Sequence, residues 1–220
     1  MKRAITALVG LGVWVSFGAD TMASTEGSAT SGNGVQQRLM DGNTRYAGAC
    51  LSHPNQTEQR RTELAQGQHP FAAIVSCADS RVPPEILFDQ GLGDLFVIRL
   101  AGNIMDDAAL ASLEYAVDHL GVRYIMILGH ERCGAVEATI QGGETPGHIG
   151  SLIKAIQPAV DNAKNQPGDP LDNAVRANVA MVVQQVKSSP PILEELAKKG
   201  DLTVLGARYD LDDGRVTILP

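Results

Sequence analysis

Phe71 to Ser76 (FAAIVS) is a short apolar run set between Pro70 and the polar segment Cys77-Ala78-Asp79-Ser80-Arg81. A run of this length without polar alternation predicts a strand buried on both faces. Leu95 to Leu100 (LFVIRL), Val122 to Leu128 and Thr203 to Tyr209 read as the second, third and fourth strands. Helical patterns lie between them. Pro83-Pro84 can open a helix through Glu85 to Gln90, because proline is tolerated in a first turn. Asp106 can cap a helix running to Leu120, with Leu110, Leu113, Val117 and Leu120 as its apolar stripe and Gly121 as a left-handed stop. Asp169-Pro170 starts another, striped by Leu171, Val175, Val179, Val182 and Val186, and Ser189-Pro190 starts one that ends at Gly200. Asp212-Asp213-Gly214 turns the chain into Val216 to Leu219, an edge strand paired antiparallel. Upstream, Val35 to Ala47 and Glu58 to Gln66 read as helices. Strands alternating with helices predict an α/β domain: a mostly parallel central sheet of four strands plus an antiparallel edge strand, helices on both faces and an N-terminal helical arm. Between Gly134 and Gly168 no element is assigned; Gly142-Gly143 and Pro146-Gly147 punctuate a loop there.

Outside this core the chain changes character. Lys2 and Arg3 precede an apolar run from Ile5 to Ala19, and Thr21-Met22-Ala23 places small residues where a cleavage site needs them. The run is shorter than the about 20 residues of a membrane span, so residues 1–23 read as a signal peptide, with export, to the periplasm, as the expected fate. Residues 24–34, small, polar and glycine-rich, read as a flexible leader. One domain, residues 35–220, remains. Removing residues 1–23 takes away Lys2, Arg3 and Asp20 and moves the net charge from −7 to −8. So acidic a chain lacks the basic face that phosphate neutralisation requires, which excludes a sequence-independent nucleic-acid partner.

The chemistry gathers where two predicted strands end. Cys77, Asp79 and Arg81 follow the first, and Gly129-His130-Glu131-Arg132-Cys133-Gly134 follows the third. In an open parallel sheet the carboxyl ends of the strands line the ligand crevice, so the two segments can converge. The spacing of two puts Cys77, Asp79 and Arg81 on one side if the segment stays extended. Two thiolates and an imidazole suit a catalytic zinc with its fourth position available. A Cys77–Cys133 disulfide is the alternative for an exported protein; Asp79 with Arg81, and His130, are company a staple does not need. Cys50 is then a lone thiol, expected as a small buried core filler. His53, His69, His119 and His148 read as solvated side chains, His119 near a helix end, and Glu131 and Arg132 as a solvated corner.

The segments CADSRVPPEILFDQGLGDLFVIRLAGN (Cys77 to Asn103), ASLEYAVDHLGV and GHERCGA (Gly129 to Ala135) resemble the β-class carbonic anhydrases, and the likeness extends over roughly Val35 to Leu219. The resemblance implies zinc held by Cys77, His130 and Cys133, a catalytic dyad of Asp79 and Arg81, and reversible hydration of carbon dioxide to bicarbonate and a proton. It implies a homodimer or homotetramer, with Gln68 and Phe96 lining the substrate pocket at a subunit boundary. No counterpart is assigned for a tyrosine that some relatives add there. It further implies that Asp79, if Arg81 releases it, becomes a fourth ligand and blocks water. A carbon disulfide or carbonyl sulfide hydrolase on the same fold, and a non-catalytic zinc-binding protein, are the competing readings; a storage site needs neither Asp79 nor Arg81.

Overall fold

The computed structural model describes residues 32–220. The expected signal peptide, residues 1–23, lies outside the described residues, as does most of the expected leader. The first helix among the described residues, α1 (Gly32–Ala47), takes in Gly32 to Gly34 and so begins inside the expected leader. After α2 (Glu58–Leu64), strands β1 (Ala72–Ser76), β2 (Leu95–Arg99), β3 (Tyr124–His130) and β4 (Thr203–Tyr209) pair in parallel, and β5 (Val216–Ile218) pairs antiparallel with β4. Their order across the sheet is β2-β1-β3-β4-β5. β1 and β3 are buried along their whole length, as continuous apolar runs predict.

Helices cover both faces. Alternate strand residues point to opposite sides, so Ile74, Met126 and Leu128 pack with Leu39 of α1, Leu87 of α3 (Pro84–Leu87) and Ile156 of α6 (Ile149–Ala163). Ala73, Val75, Ile125 and Ile127 pack on the other side with Leu113 and Val117 of α4 (Asp107–Asp118), Val182 of α7 (Pro170–Lys187) and Leu193 of α8 (Ile192–Lys199). Each fully buried aliphatic side chain of this kind stabilises the fold by about 1.5–3 kcal/mol. The expected ends of α4 and α8 are in place. Asp106 accepts the Ala109 N–H at 2.8 Å, and Gly121 and Gly200 adopt φ of 73° and 79°. Among the described residues no helix is long and apolar enough to cross a membrane.

Three expectations need correction. The stretch left without elements holds α5 (Gly134–Gln141) and α6, the latter continuing through Pro158 because Ile156, Ala159 and Ala163 are held in the core. The segment 77–81 does not stay extended to its end: the Ala78 N–H still donates to the Leu100 carbonyl at 3.2 Å, but the chain turns at Ser80-Arg81, where the Arg81 N–H reaches back to Asp79 Oδ1, because a short acceptor two residues back competes with continued extension. Cys50 is exposed rather than buried. It sits just past α1, its Sγ 3.5 Å from the Arg45 carbonyl, in a segment with no apolar layer over it.

Candidate metal centre

The chain leaves β1 for β2 on one side of the sheet, while β3 lies on the other side of β1. Such a switch in direction opens a crevice at the carboxyl ends of the two strands. Cys77 is the first residue after β1, His130 is the last residue of β3, and Cys133 caps the start of α5. Their ligand atoms all lie within 4.8 Å of one another, and all three residues are buried. The turn at Ser80-Arg81 folds Arg81 back onto Asp79 beside this group.

The donors are prepared for a soft cation. Cys77 Sγ accepts the backbone N–H groups of Asp79 at 3.4 Å and Gly102 at 3.2 Å. His130 Nδ1 lies 2.8 Å from the Glu131 carbonyl, which can only accept, so Nδ1 carries the proton and Nε2 keeps its lone pair. That Nε2 is buried without a hydrogen-bond partner among the described residues. Cys77 and Cys133 are free cysteines: the contact with Cys133 draws the Cys77 thiol well below its usual range against its burial, and the same contact pushes the Cys133 thiol up. A cation bound between them would displace the thiol protons and take both sulfurs as thiolates. Two thiolates and one imidazole whose buried Nε2 is unpartnered among the described residues fit zinc.

Asp79 stands at the mouth of this group. Arg81 Nε donates to its Oδ1 at 2.9 Å and Arg81 Nη2 to its Oδ2 at 2.7 Å, a two-pronged clasp, and Oδ2 lies 3.8 Å from His130 Nε2. The Arg81 guanidinium holds the Asp79 carboxyl down to about 2. Both oxygens of Asp79 are thus engaged by Arg81.

Two supports were not legible from sequence patterns. Arg99, at the end of β2, donates to the backbone carbonyls of Cys77 at 2.9 Å and Asp79 at 2.5 Å and braces the turn; a cation closing an apolar strand is the only local sign of it. The corner at Glu131-Arg132 is tied down rather than merely solvated. Arg132, in the left-handed region at φ 50°, grips Asp212 through both terminal nitrogens at 3.0 and 2.7 Å, and the Glu131 N–H donates to the Tyr209 carbonyl at 2.9 Å. A second carboxylate group, Glu131, Asp210 and Asp212, is met by Arg132 and Arg208.

Gln68 and Phe96 lie outside the ligand group. Gln68 is exposed between α2 and β1, beside Leu64 and Gly93. Phe96 is half-buried on the edge strand β2, its ring 6.3 Å from that of Tyr115, which stacks in turn on His119 at 5.0 Å. Tyr115 is half-exposed on α4.

A family model described as carbonic anhydrase matches residues 72–216. Over 184 residues the chain is 40% identical to carbonic anhydrase 2 of Mycobacterium tuberculosis, covering 82% of this chain and 89% of that protein. Identity to the carbonic anhydrase of Mycolicibacterium smegmatis is 39% with the same coverage. Among solved structures, the Coccomyxa β-carbonic anhydrase in complex with acetazolamide superposes with a TM-score of 0.67 at 31% identity, covering 82% of this chain and 84% of that one. A structure from the work on two tetrameric β-carbonic anhydrases of Sordaria macrospora also gives 0.67, at 27% identity, covering 84% and 96%.

Proposed function

The chain belongs to the β-class carbonic anhydrase family, and from that premise we propose that it hydrates carbon dioxide reversibly at a zinc ion held by Cys77, His130 and Cys133, with Asp79 and Arg81 as the catalytic dyad. The observation that carries the reading is the clasped carboxylate set 3.8 Å from an orphaned histidine nitrogen that, with two cysteine sulfurs, forms one buried ligand group. Zinc, when bound, supplies a Lewis acid that makes water nucleophilic near neutral pH. Asp79 does the aiming. Ionised at any working pH, it accepts a hydrogen bond from the attacking water at Oδ2 and turns the oxygen lone pair toward the carbon of carbon dioxide. Arg81 keeps the carboxylate charged and fixes its plane. Oxygen adds to carbon, one C=O bond opens to the bicarbonate oxygen, and the released proton passes to solvent.

Gln68 and Phe96 are proposed as pocket residues, the apolar ring suiting an uncharged substrate. Phe96 and Ile98 on β2 are only partly covered within one chain, which supports a homodimer or homotetramer; the Sordaria macrospora enzymes are described as tetrameric. Export, with loss of residues 1–23 and a leader reaching to the start of the domain, is proposed on the composition of that segment. N-terminal sequencing of protein from its own host decides export, and light scattering giving an active monomer overturns the oligomer.

The central test is stopped-flow carbon dioxide hydration on metal-analysed protein, wild type and Arg81→Ala. One zinc per chain in both, with turnover in the wild type and its loss in the variant, is expected. Zinc-loaded wild type without turnover at any pH overturns the reading.

A further inference from the structure

Asn178 is fully buried in the middle of α7, where its neighbours in the chain, Val175, Val179 and Val182, are apolar core residues. Its Nδ2 donates to the Gly102 carbonyl at 2.7 Å, a contact across 76 residues of sequence, while its Oδ1 has no partner among the described residues. Burying an amide with one end unmet costs stability, so an apolar side chain would serve packing better at this position. The end that is used points at the residue whose own N–H donates to Cys77 Sγ at 3.2 Å.

Gly102 needs such a hold. It lies in the left-handed region at φ 68°, in the tight turn Ala101–Asn103, and a Cβ there would stand 2.6 Å from Ile156 Cδ1. Glycine fits that space, but glycine also leaves both of its torsions free to drift. The two hydrogen bonds act on either side of the Gly102 Cα: the N–H is aimed at the sulfur, and the carbonyl is held by α7. α7 reaches this depth because Val179 packs directly on the backbone of β3 and β4 at Gly129 and Gly206, where a Cβ would come within 2.4 and 2.6 Å of it.

We propose that Asn178 is a positioning residue for the metal centre, holding Gly102 so that its N–H donates to the Cys77 sulfur and draws electron density from that ligand. The inference rests on the zinc reading above. A thiolate relieved of charge by a hydrogen bond gives less of its density to the cation, and such outer contacts set metal affinity and the acidity of the centre.

The test uses the full chain loaded with cobalt(II) in place of zinc, because sulfur-to-cobalt charge-transfer absorption in the near ultraviolet reports the thiolate directly. Asn178→Leu removes the donor with little change of shape; Asn178→Ala removes it with a cavity; Val186→Ala loosens the same helix two turns away from Asn178. Both Asn178 variants are expected to shift the charge-transfer band to longer wavelength, while Val186→Ala leaves the band in place. Asn178→Leu carries the test if the alanine variant does not fold. An unshifted band in folded Asn178→Leu, or the same shift in Val186→Ala, makes Asn178 structural only and overturns the proposal. Wild type that takes up no cobalt, or shows no charge-transfer band, instead removes the metal reading beneath it.

Discussion

Two aspartates, Asp79 in the turn after β1 and Asp89 in the corner after α3, are held below the ordinary carboxylate range by hydrogen bonds, yet they are built for opposite ends. Asp89 is 1% exposed, and burial alone would push its carboxyl up. It is brought down by Ser52 N–H, Ser52 Oγ and Arg45 Nε on Oδ2 and by His53 N–H on Oδ1. Four donors from its own chain meet it, three on Oδ2 and one on Oδ1, and its side chain is almost wholly shut off from solvent, whereas that of Asp79 is not. Asp79 accepts the Arg81 N–H and Arg81 Nε on Oδ1 but only Arg81 Nη2 on Oδ2, so the oxygen facing His130 keeps one direction open. A buried carboxylate shut in by donors of its own chain fastens a loop; one that is reached by solvent and aims an open acceptor direction into a crevice can hold a reactant.

The sharpest way to break this contrast is to remove the charge at each position. Asp79→Asn should lower carbon dioxide hydration about 100–1,000-fold, the cost of a lost preorganised contact to the reacting atoms, with zinc content unchanged and a melting temperature within about 2 °C of wild type. Asp89→Asn should do the reverse. Breaking a buried, hydrogen-bonded charge costs about 3 kcal/mol or more, which lowers the melting temperature by about 10 °C in a domain of this size. Turnover per zinc-loaded molecule should then stay within about twofold. A turnover loss in Asp89→Asn matching that in Asp79→Asn would erase the distinction.

Acid separates the two more finely. Each carboxyl titrates lower in the folded chain than in the unfolded one, where the value is about 3.9. Each therefore adds stability that is complete above the unfolded value and lost as pH falls toward the folded value. For Asp79 that window runs from the unfolded value down to about 2, and its partner Arg81 is half-exposed, so the contribution is screened. Asp89 should dominate. Urea midpoints measured against pH should flatten below about pH 4 in Asp89→Asn and keep nearly the wild-type slope in Asp79→Asn.

The smallest effect belongs to the cysteine outside both regions. Cys50→Ser should leave zinc stoichiometry unchanged and shift stability by no more than about 0.5 kcal/mol, since its sulfur is exposed and makes a single long contact to the Arg45 carbonyl. Loss of zinc in this variant would bring Cys50 into the ligand set.

Local pattern alone carried the four parallel strands, the antiparallel return at Asp212-Asp213-Gly214, the Asp106 cap and the glycine stops at Gly121 and Gly200, because each depends on residues within one turn or one strand of its neighbours. It also named the group Cys77, His130 and Cys133, since that chemistry is written into residue types at strand ends. What it could not carry depends on contacts between distant segments. α5 and α6 are hidden behind Gly142-Gly143, Pro146-Gly147 and Pro158, and the core contacts of Val136 and Ile156 outweigh those breakers. That Arg81 folds back onto the Asp79 carboxylate was decided by the turn after β1, and Cys50 was left outside the core by the path of the chain after α1. The hold of Asn178 on Gly102 spans 76 residues, and an asparagine in a helical stripe carries no sign of its partner until the sheet and α7 are packed together.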